Sequence, residues 1–280
     1  MTGILVLEQS LNGLQFGLML FLLAAGLTLV FGIMDMINLA HGSLYMVGAY
    51  LIASVAQASG SFWLGLLGGI AATVVLGAVL EFNVLRRLYQ RDHLSQVLGT
   101  FAILLMSNEA VRMIWGSQPV SLNPPAALAG PVELLPGFSY PAFRLFIITV
   151  GLFAAGLMYL LVTRTRLGMQ VRAGASNREM AQAMGVDVRR LFSIVFACGA
   201  ALCALAGGML GPLLAVQVGM GESILILAFV VIVIGGIGSI RGALMGALLV
   251  GMVDTIGRTL IPVLFAQLMA PDLAAIAAPA

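Results

Sequence analysis

Residues 11–33 read LNGLQFGLMLFLLAAGLTLVFGI and contain no charged side chain. The run is longer than the roughly 20 apolar residues that cross a bilayer as a helix. The rest of the chain has the same character, because 61% of its 280 residues are hydrophobic and only 9% are charged. A soluble domain has about 45–50% apolar and about 25% charged residues. The composition predicts an all-α, polytopic protein of the lipid bilayer. It excludes a secreted enzyme, a nucleic-acid-binding protein and a disordered chain.

Further apolar runs follow the first, so we expect about eight transmembrane helices in a single domain over residues 1–280. The runs cover residues 11–33, 37–56, 62–85, 94–115, 143–162, 191–216, 224–234 and 243–264. Residues 117–141 are rich in proline and carry almost no charge, which predicts an irregular loop outside the bilayer. Residues 164–190 form the longest polar segment.

The arginines predict the orientation of the chain. All 13 basic residues are arginines, and nine of them lie in two polar loops, residues 86–93 and 164–190. The nine are Arg86, Arg87, Arg91, Arg164, Arg166, Arg172, Arg178, Arg189 and Arg190. Short cytoplasmic loops carry an excess of positive charge, and the two spans between these loops put both on one side. We therefore expect both loops in the cytoplasm, and residues 117–141 and the N-terminus outside.

The second of these loops contains the signals of a short helix. Ser176 and Glu179 fit a capping box, and Gly185 fits a helix stop. A helix of about two turns is too short to be stable alone in water, so it must pack on something. From these local features it is either a surface helix that links two spans or a docking helix for a soluble partner.

Polar side chains interrupt the second apolar run. Asn38, His41 and Tyr45 are spaced as residues i, i+3 and i+7, which predicts that they share one helix face. At membrane depth such side chains line a translocation path or form hydrogen bonds with a neighbouring helix. A metal site needs more ligands than His41 supplies, so no metal site is expected.

Two pairs of opposite charges lie within apolar runs. Glu109 and Arg112 are one helical turn apart, as are Asp254 and Arg258, so each pair is expected to form an ion pair. Intramembrane charges mark a path or an interface. We favour structural pairing or a subunit contact over substrate contact, and Glu109 remains a candidate for the path.

Glycines dominate the stretch before the last run. Gly235 and Gly236 predict a break in the helix. Gly238, Gly242 and Gly246 recur every fourth residue, which predicts close approach of a neighbouring helix. The stretch has no lysine and lies between apolar runs, so it is not a phosphate-binding loop.

These segments, in this order, resemble the membrane permease of branched-chain amino acid ABC importers. The resemblance covers most of residues 11–262. It rests on four stretches of sequence: GLTLVFG (26–32), INLAHG followed by MVGAY (37–42 and 46–50), EMAQAMG (179–185) and GGIGSIRGA (235–243). The third stretch fits the pattern Glu-x-Ala-x-x-x-Gly through Glu179, Ala181 and Gly185.

The resemblance implies the fold of an ABC importer permease in the bacterial inner membrane, translocating branched-chain or related amino acids. It implies that the loop at 164–190, with Ser176, Glu179, Ala181 and Gly185, couples to ATPase subunits. The expected partners are a second permease in a heterodimer, two cytoplasmic ATPases and an extracytoplasmic substrate-binding protein. The chain has no Walker A sequence, so we expect no catalytic activity and no bound cofactor, with ATP used by the partner subunits.

Two alternatives remain open. The first is a permease of the same family for urea or short amides. The second is a stand-alone secondary transporter, which would need several intramembrane acids around a coupling ion. The candidates for such a site are Asp35, Glu81, Glu109 and Asp254. Permeases of this family generally continue through a further span, so the end at Ala280 predicts a missing last span or a longer reading frame.

Overall fold

The computed structural model describes residues 3–89 and 91–276 and is mostly helical, with one short β-hairpin. The predicted all-α, polytopic fold is therefore confirmed. In chain order the helices are α1 (Gly3–Met34), α2 (Ala40–Ser59), α3 (Phe62–Leu80), α4 (Arg86–Leu88), α5 (His93–Trp115), α6 (Ala142–Arg164), α7 (Arg166–Ser176), α8 (Arg178–Ala183), α9 (Val188–Leu214), α10 (Met220–Gly235) and α11 (Ile240–Ile276). The prediction about the chain end at Ala280 lies outside the described residues.

Within the described residues, 6 helical segments are long and apolar enough to cross a membrane. They are Ile4–Met34, Phe62–Leu88, His93–Trp115, Ala142–Arg164, Val188–Leu214 and Ile240–Thr259. The apolar helix α10 has 16 residues, and α2 has 20 residues but carries several polar side chains. The expected number of eight spans therefore stays a prediction.

Helix α1 lies at the centre of the bundle. Every residue from 17 to 30 is buried, which is the pattern of a helix that is surrounded on all sides. Helices α6, α9, α10 and α11 pack around it. The run that opens the chain is therefore an interior helix of the bundle.

Close contacts between small residues bring the helices together. A Cβ added to Gly251 of α11 would lie 2.4 Å from the backbone of Gly17 in α1. A Cβ added to Gly26 would lie 3.1 Å from the Cα of Gly199 in α9. Apolar side chains gain little by leaving lipid for protein, so such backbone approaches carry much of the packing.

The first arginine-rich segment is largely helical. A π-helical turn, Glu81–Leu85, joins α3 to α4, so the third helical rod extends from Phe62 to Leu88. The prediction of a loop over residues 86–93 is wrong at its start, because Arg86 and Arg87 lie on α4. The π-helical turn keeps the backbone N–H of Arg86 hydrogen-bonded to the carbonyl of Glu81.

The proline-rich segment 117–141 contains regular structure that the sequence did not predict. Strands β1 (Pro131–Leu135) and β2 (Phe138–Pro141) form an antiparallel hairpin. Pro131 begins β1 and Pro141 ends β2, at strand ends where the missing N–H costs least. The prediction of an irregular loop is therefore wrong for this part of the segment.

Polar contacts place both arginine-rich segments at the same end of the bundle. The Nε of Arg178 donates to the carbonyl of Ile33 in α1 at 2.9 Å. At the other end, the hydroxyl of Tyr140 donates to Asn12 of α1 at 2.9 Å. Asn12 and Ile33 are about 30 Å apart along the helix. Arg86 donates to Ser193 of α9 at 2.8 Å, so its segment shares the end that holds Arg178.

The glycine-rich stretch forms a tight turn between α10 and α11. Helix α10 ends at Gly235, and Gly236 and Gly238 have positive φ angles of 86° and 80°. The predicted helix break is therefore confirmed. Gly238 lies in the turn, so it does not share a helix face with Gly242 and Gly246 as predicted, because α11 begins only at Ile240.

Substitution of Gly242 should destabilise the α10–α11 pair. A Cβ there would overlap the carbonyl oxygen of Gly235 at 1.6 Å, and such overpacking costs about 1–3 kcal/mol or more. We expect Gly242→Ala to lower the thermal unfolding midpoint of the detergent-solubilised protein. The matched control is Gly156→Ala on α6, where a Cβ meets nothing within 4 Å. Equal midpoints for the two variants would contradict this packing.

Candidate functional site

The polar segment 164–190 folds into two short helices at the arginine-rich end. Asn177 caps α8, because its side-chain oxygen accepts a hydrogen bond from the backbone N–H of Met180 at 2.9 Å. Ser176 is the last residue of α7, and an N-cap needs the extended backbone that Asn177 adopts. The predicted capping box of Ser176 and Glu179 is therefore wrong by one residue at its start. Glu179 does lie in the first turn of α8, where a negative charge favours the helix dipole.

Helix α8 ends at Ala183, and the predicted helix stop follows two residues later at Gly185. This residue has a φ angle of 88°, a left-handed conformation that suits glycine. The N–H of Val186 donates to the carbonyl of Ala181 at 3.0 Å, and the N–H of Gly185 donates to the carbonyl of Gln182 at 2.9 Å. These bonds satisfy carbonyl groups that a helix end otherwise leaves free.

Most of α8 faces away from the bundle. Ala181 is buried, whereas Glu179 is exposed. Met180 is 61% exposed and Met184, which follows α8, is 79% exposed. We call Glu179, Met180 and Met184 the α8 surface. Flexible methionine side chains suit adaptable protein contacts, and here they stand beside an acidic side chain.

Arg178 attaches the start of α8 to two helices. Its Nε donates to the carbonyl of Ile33 at the end of α1, which is one of the carbonyls that lack a partner within a helix. The guanidinium carbon lies 5.6 Å from the ring centroid of Phe192 in α9, within cation–π range. Arg178 thus connects α8 to both α1 and α9.

A buried carboxylate lies next to this attachment. Glu81, in the π-helical turn, is 1% exposed. It accepts hydrogen bonds from Arg86 at 3.0 Å, from the Tyr89 hydroxyl at 3.2 Å and from Ser193 at 2.8 Å. Three donors compensate the burial of the charge. The cluster joins the third helical rod to α9.

Aromatic contacts continue from this cluster towards α8. The rings of Tyr89 and Phe192 meet edge to face, with centroids 5.3 Å apart. Burial, together with the nearby Glu81 carboxylate, raises the pKa of Tyr89, so its hydroxyl stays protonated and donates. A cavity of about 410 Å³ lies between these residues and Arg178, Gln182 and Arg189.

The polar residues of the second apolar run are buried. Asn38 precedes α2 and accepts a hydrogen bond from the N–H of Ala40 at 3.1 Å. It therefore does not share a helix face with His41 and Tyr45, because α2 begins only at Ala40. The His41 ring lies against Gly26 and Gly199, where an added Cβ would meet it at 2.8 and 3.1 Å. A role for Asn38, His41 and Tyr45 in a translocation path stays a prediction.

The four intramembrane acids lie in different surroundings. Glu109 pairs with Arg112 at 2.8 Å, and both side chains are more than half exposed. Asp254 pairs with Arg258 on α11 at 2.9 Å, while Asp35 is exposed between α1 and α2. Both predicted ion pairs are thus present. No group of three or more acids, histidines and cysteines that could hold a metal ion occurs in the described part of the chain.

Sequence reasoning missed most of the cluster around Glu81. Glu81 and Arg86 are five residues apart, a spacing that an α-helix does not bring together but a π-helical turn does. The five-residue spacing of Glu81 and Arg86 was the one local signal of this cluster in the sequence. Ser193 and Phe192 are far away in sequence, and only tertiary packing brings them to Glu81 and Tyr89.

Comparison with known proteins agrees with this fold. Residues 9–276 match the family model described as branched-chain amino acid transport system / permease component. The high-affinity branched-chain amino acid transport system permease protein BraD of Pseudomonas aeruginosa is 32% identical over 275 residues, which cover 90% of this chain and 86% of BraD. The permease protein LivH of the high-affinity branched-chain amino acid transport system of Escherichia coli is 28% identical over 270 residues, covering 89% of this chain and 85% of LivH.

A shorter match concerns a protein with a different name. The fructose import permease protein FrcC of Rhizobium meliloti is 35% identical over 103 residues, which cover 34% of this chain and 29% of FrcC. The full-length matches decide the family. The chain belongs to the permease components of branched-chain amino acid transport systems and is a multi-pass transmembrane permease subunit.

Proposed function

We propose that this permease is the transmembrane subunit of an ATP-driven importer and that the α8 surface docks on a cytoplasmic ATPase. The observation that carries the proposal is how α8 is attached and how much of it is exposed. It is a short helix at the arginine-rich end, fixed to the bundle at Arg178 and Ala181, with Met180 and Met184 left exposed. An exposed apolar surface beside charged residues favours a protein partner.

The proposed mechanism follows from how α8 is attached. ATP binding by the ATPase subunits moves the α8 surface. Arg178 passes the movement to α1 and α9, and the closely packed spans then shift access from one side of the membrane to the other. The complex contains a second permease in a heterodimer, two ATPases and an extracytoplasmic substrate-binding protein, and the ATP is bound by the ATPases.

The proposed orientation puts the arginine-rich end in the cytoplasm of the inner membrane. The positive-inside rule supports it, since Arg86, Arg178 and their neighbours lie together at that end. The hairpin and the N-terminus then face outside, where the binding protein docks.

The proposed cargo is a branched-chain or related amino acid. The names of BraD and LivH support it over most of the chain, whereas FrcC, named for fructose, matches about a third. Asn38, His41, Tyr45 and Glu109 are the proposed polar residues of the path or of the packing around it. The separate surroundings of the four acids weigh against a secondary transporter with a coupling-ion site.

Purification and uptake test the function. We expect ATPase subunits to co-purify with the tagged permease. Proteoliposomes of the whole complex should take up leucine, isoleucine or valine in an ATP-dependent manner, and uptake of alanine, urea, acetamide and fructose should be weaker. Uptake that needs an ion gradient and no ATPase would contradict the proposal, and a preference for urea or acetamide would overturn the cargo.

Variants of α8 test the docking. Gly185→Ala forces a side chain into a left-handed backbone, at a cost of about 1–2 kcal/mol, and should distort the end of α8. Glu179→Gln removes the exposed charge. We expect both variants to insert into the membrane normally and to lose most ATP-coupled uptake and part of the bound ATPase.

The matched control is Gly60→Ala at the end of α2. Gly60 also has a positive φ angle, 67°, and an open space around its Cβ, but it lies beside the 117–141 segment, where Gln57 bonds the carbonyl of Ser121. The control should keep its ATPase. Normal ATPase binding and uptake in both α8 variants would remove the docking assignment.

Cysteine labelling tests the orientation. Cys198 and Cys203 are free thiols, so the tests use a Cys198→Ala/Cys203→Ala background. A membrane-impermeant maleimide should label Ser139→Cys, in the hairpin, on intact cells. It should label Ala183→Cys, on α8, only after the membrane is opened. The reverse pattern would contradict the orientation.

A further inference from the structure

We propose that Glu81, Tyr89 and Phe192 are positioning residues that couple α8 to the third helical rod, α3 through α4. The inference rests on the proposed function, since it concerns how movement of α8 reaches the spans. It assigns a transport role to a buried acid that lies outside the α8 surface itself.

The first step is the narrow attachment of α8. Of its six residues only Ala181 is buried and only Arg178 is partly buried. Apart from the backbone, which continues into α7 and α9, force applied to the α8 surface therefore leaves the helix through few side chains. Arg178 is the one that makes a polar contact with α1 and stacks against α9.

The second step is the ring of Phe192. It contacts the Arg178 guanidinium and the edge of the Tyr89 ring. Beside these contacts lies the cavity of about 410 Å³, lined by residues of α8, α9 and the third rod. The cavity separates parts of α8, α9 and the third rod that face each other. The contact between the Phe192 and Tyr89 rings therefore connects these elements where the cavity interrupts their packing.

The third step fixes Tyr89 to the spans. Its hydroxyl donates to Glu81, which also accepts from Arg86 and Ser193. Arg86 itself donates to Ser193 of α9 at 2.8 Å. The carboxylate thus joins the end of the third rod to α9 through a closed set of charge-assisted hydrogen bonds, which are stronger than neutral ones.

The backbone supports this reading. Glu81 begins the π-helical turn Glu81–Leu85, and such turns are frequent at functional sites. The turn brings Glu81 and Arg86 together at a spacing of five residues. A regular α-helix would turn the two side chains away from each other, so the turn builds the cluster.

The test uses the reconstituted complex with its ATPases and binding protein. We expect Glu81→Gln to lower the amount of cargo moved per ATP by about tenfold, because it weakens hydrogen bonds to a charged group. Phe192→Leu breaks the cation–π contact with Arg178 and the aromatic contact with Tyr89 instead, and we expect a loss of similar size. Tyr89→Phe keeps the ring and loses only the longest of the three hydrogen bonds to Glu81, at 3.2 Å, so its ratio should fall less, by about threefold. The double variant Glu81→Gln/Phe192→Leu should be no worse than the more severe single variant, because both interrupt one connection.

Two matched controls define the outcome. Asp254→Asn removes an acid that pairs with an arginine within one helix, and Tyr159→Phe removes a tyrosine hydroxyl that contacts Arg241. Neither touches α8, so both should keep the wild-type ratio. A merely structural role of Glu81 would reduce assembled complex, and hydrolysis and transport would fall together at an unchanged ratio, which would overturn the inference.

The same experiment separates the two proposals. Failure of the wild-type permease to bind any ATPase would contradict the proposed function. Bound ATPase with an unchanged ratio in Tyr89→Phe, the mildest variant, and in Phe192→Leu would overturn only the role of the positioning residues. Should Glu81→Gln fail to fold, these two variants still decide the matter.

Discussion

The fold depends on backbone contact around one buried helix. In a bilayer an apolar side chain gains little by exchanging lipid for protein, so helices associate where small residues allow their backbones to meet. Helix α1 is buried from residue 17 to residue 30, and Gly17 and Gly26 bring it against α11 and α9. Because these contacts leave no room for an added methyl group, they hold α1, α9 and α11 tightly together in this conformation.

At the arginine-rich end the character of the contacts changes. Helix α8 is joined to this stiff core by the guanidinium of Arg178 and the small side chain of Ala181. Polar and cation–π contacts of this kind change partners more readily than interlocked glycines. The chain thus combines a closely packed core with a separately attached helix, an arrangement that suits the proposed docking of an ATPase subunit on α8.

Local signals in the sequence predicted the features that local physics determines. The break at Gly235 and the helix stop at Gly185 follow from backbone preference, and the shared end of the arginines follows from the count of spans. The sequence prediction placed the N-cap of α8 one residue too early. Ser and Asn are equally good N-caps, and Asn177 takes this position because α7 extends through Ser176. The hydrogen bond between Ser193 and Glu81 could not be predicted, since the two residues lie more than a hundred positions apart in the sequence.

The position of the buried His41 bears on both roles predicted for it, helix packing and a translocation path. The His41 ring occupies the space that Gly26 of α1 and Gly199 of α9 leave open. The sequence leaves two explanations open for this ring: polar packing between helices, or contact with a water-filled path. In the described conformation the ring is fully buried, so water reaches it only if α1, α2 and α9 separate. Arg178 contacts α1 and α9 directly, and the Glu81 cluster also reaches α9. Helix α2 packs on α9, so it is one further contact away from α8. A role of His41 in translocation therefore requires the helix movement that α8 is proposed to drive.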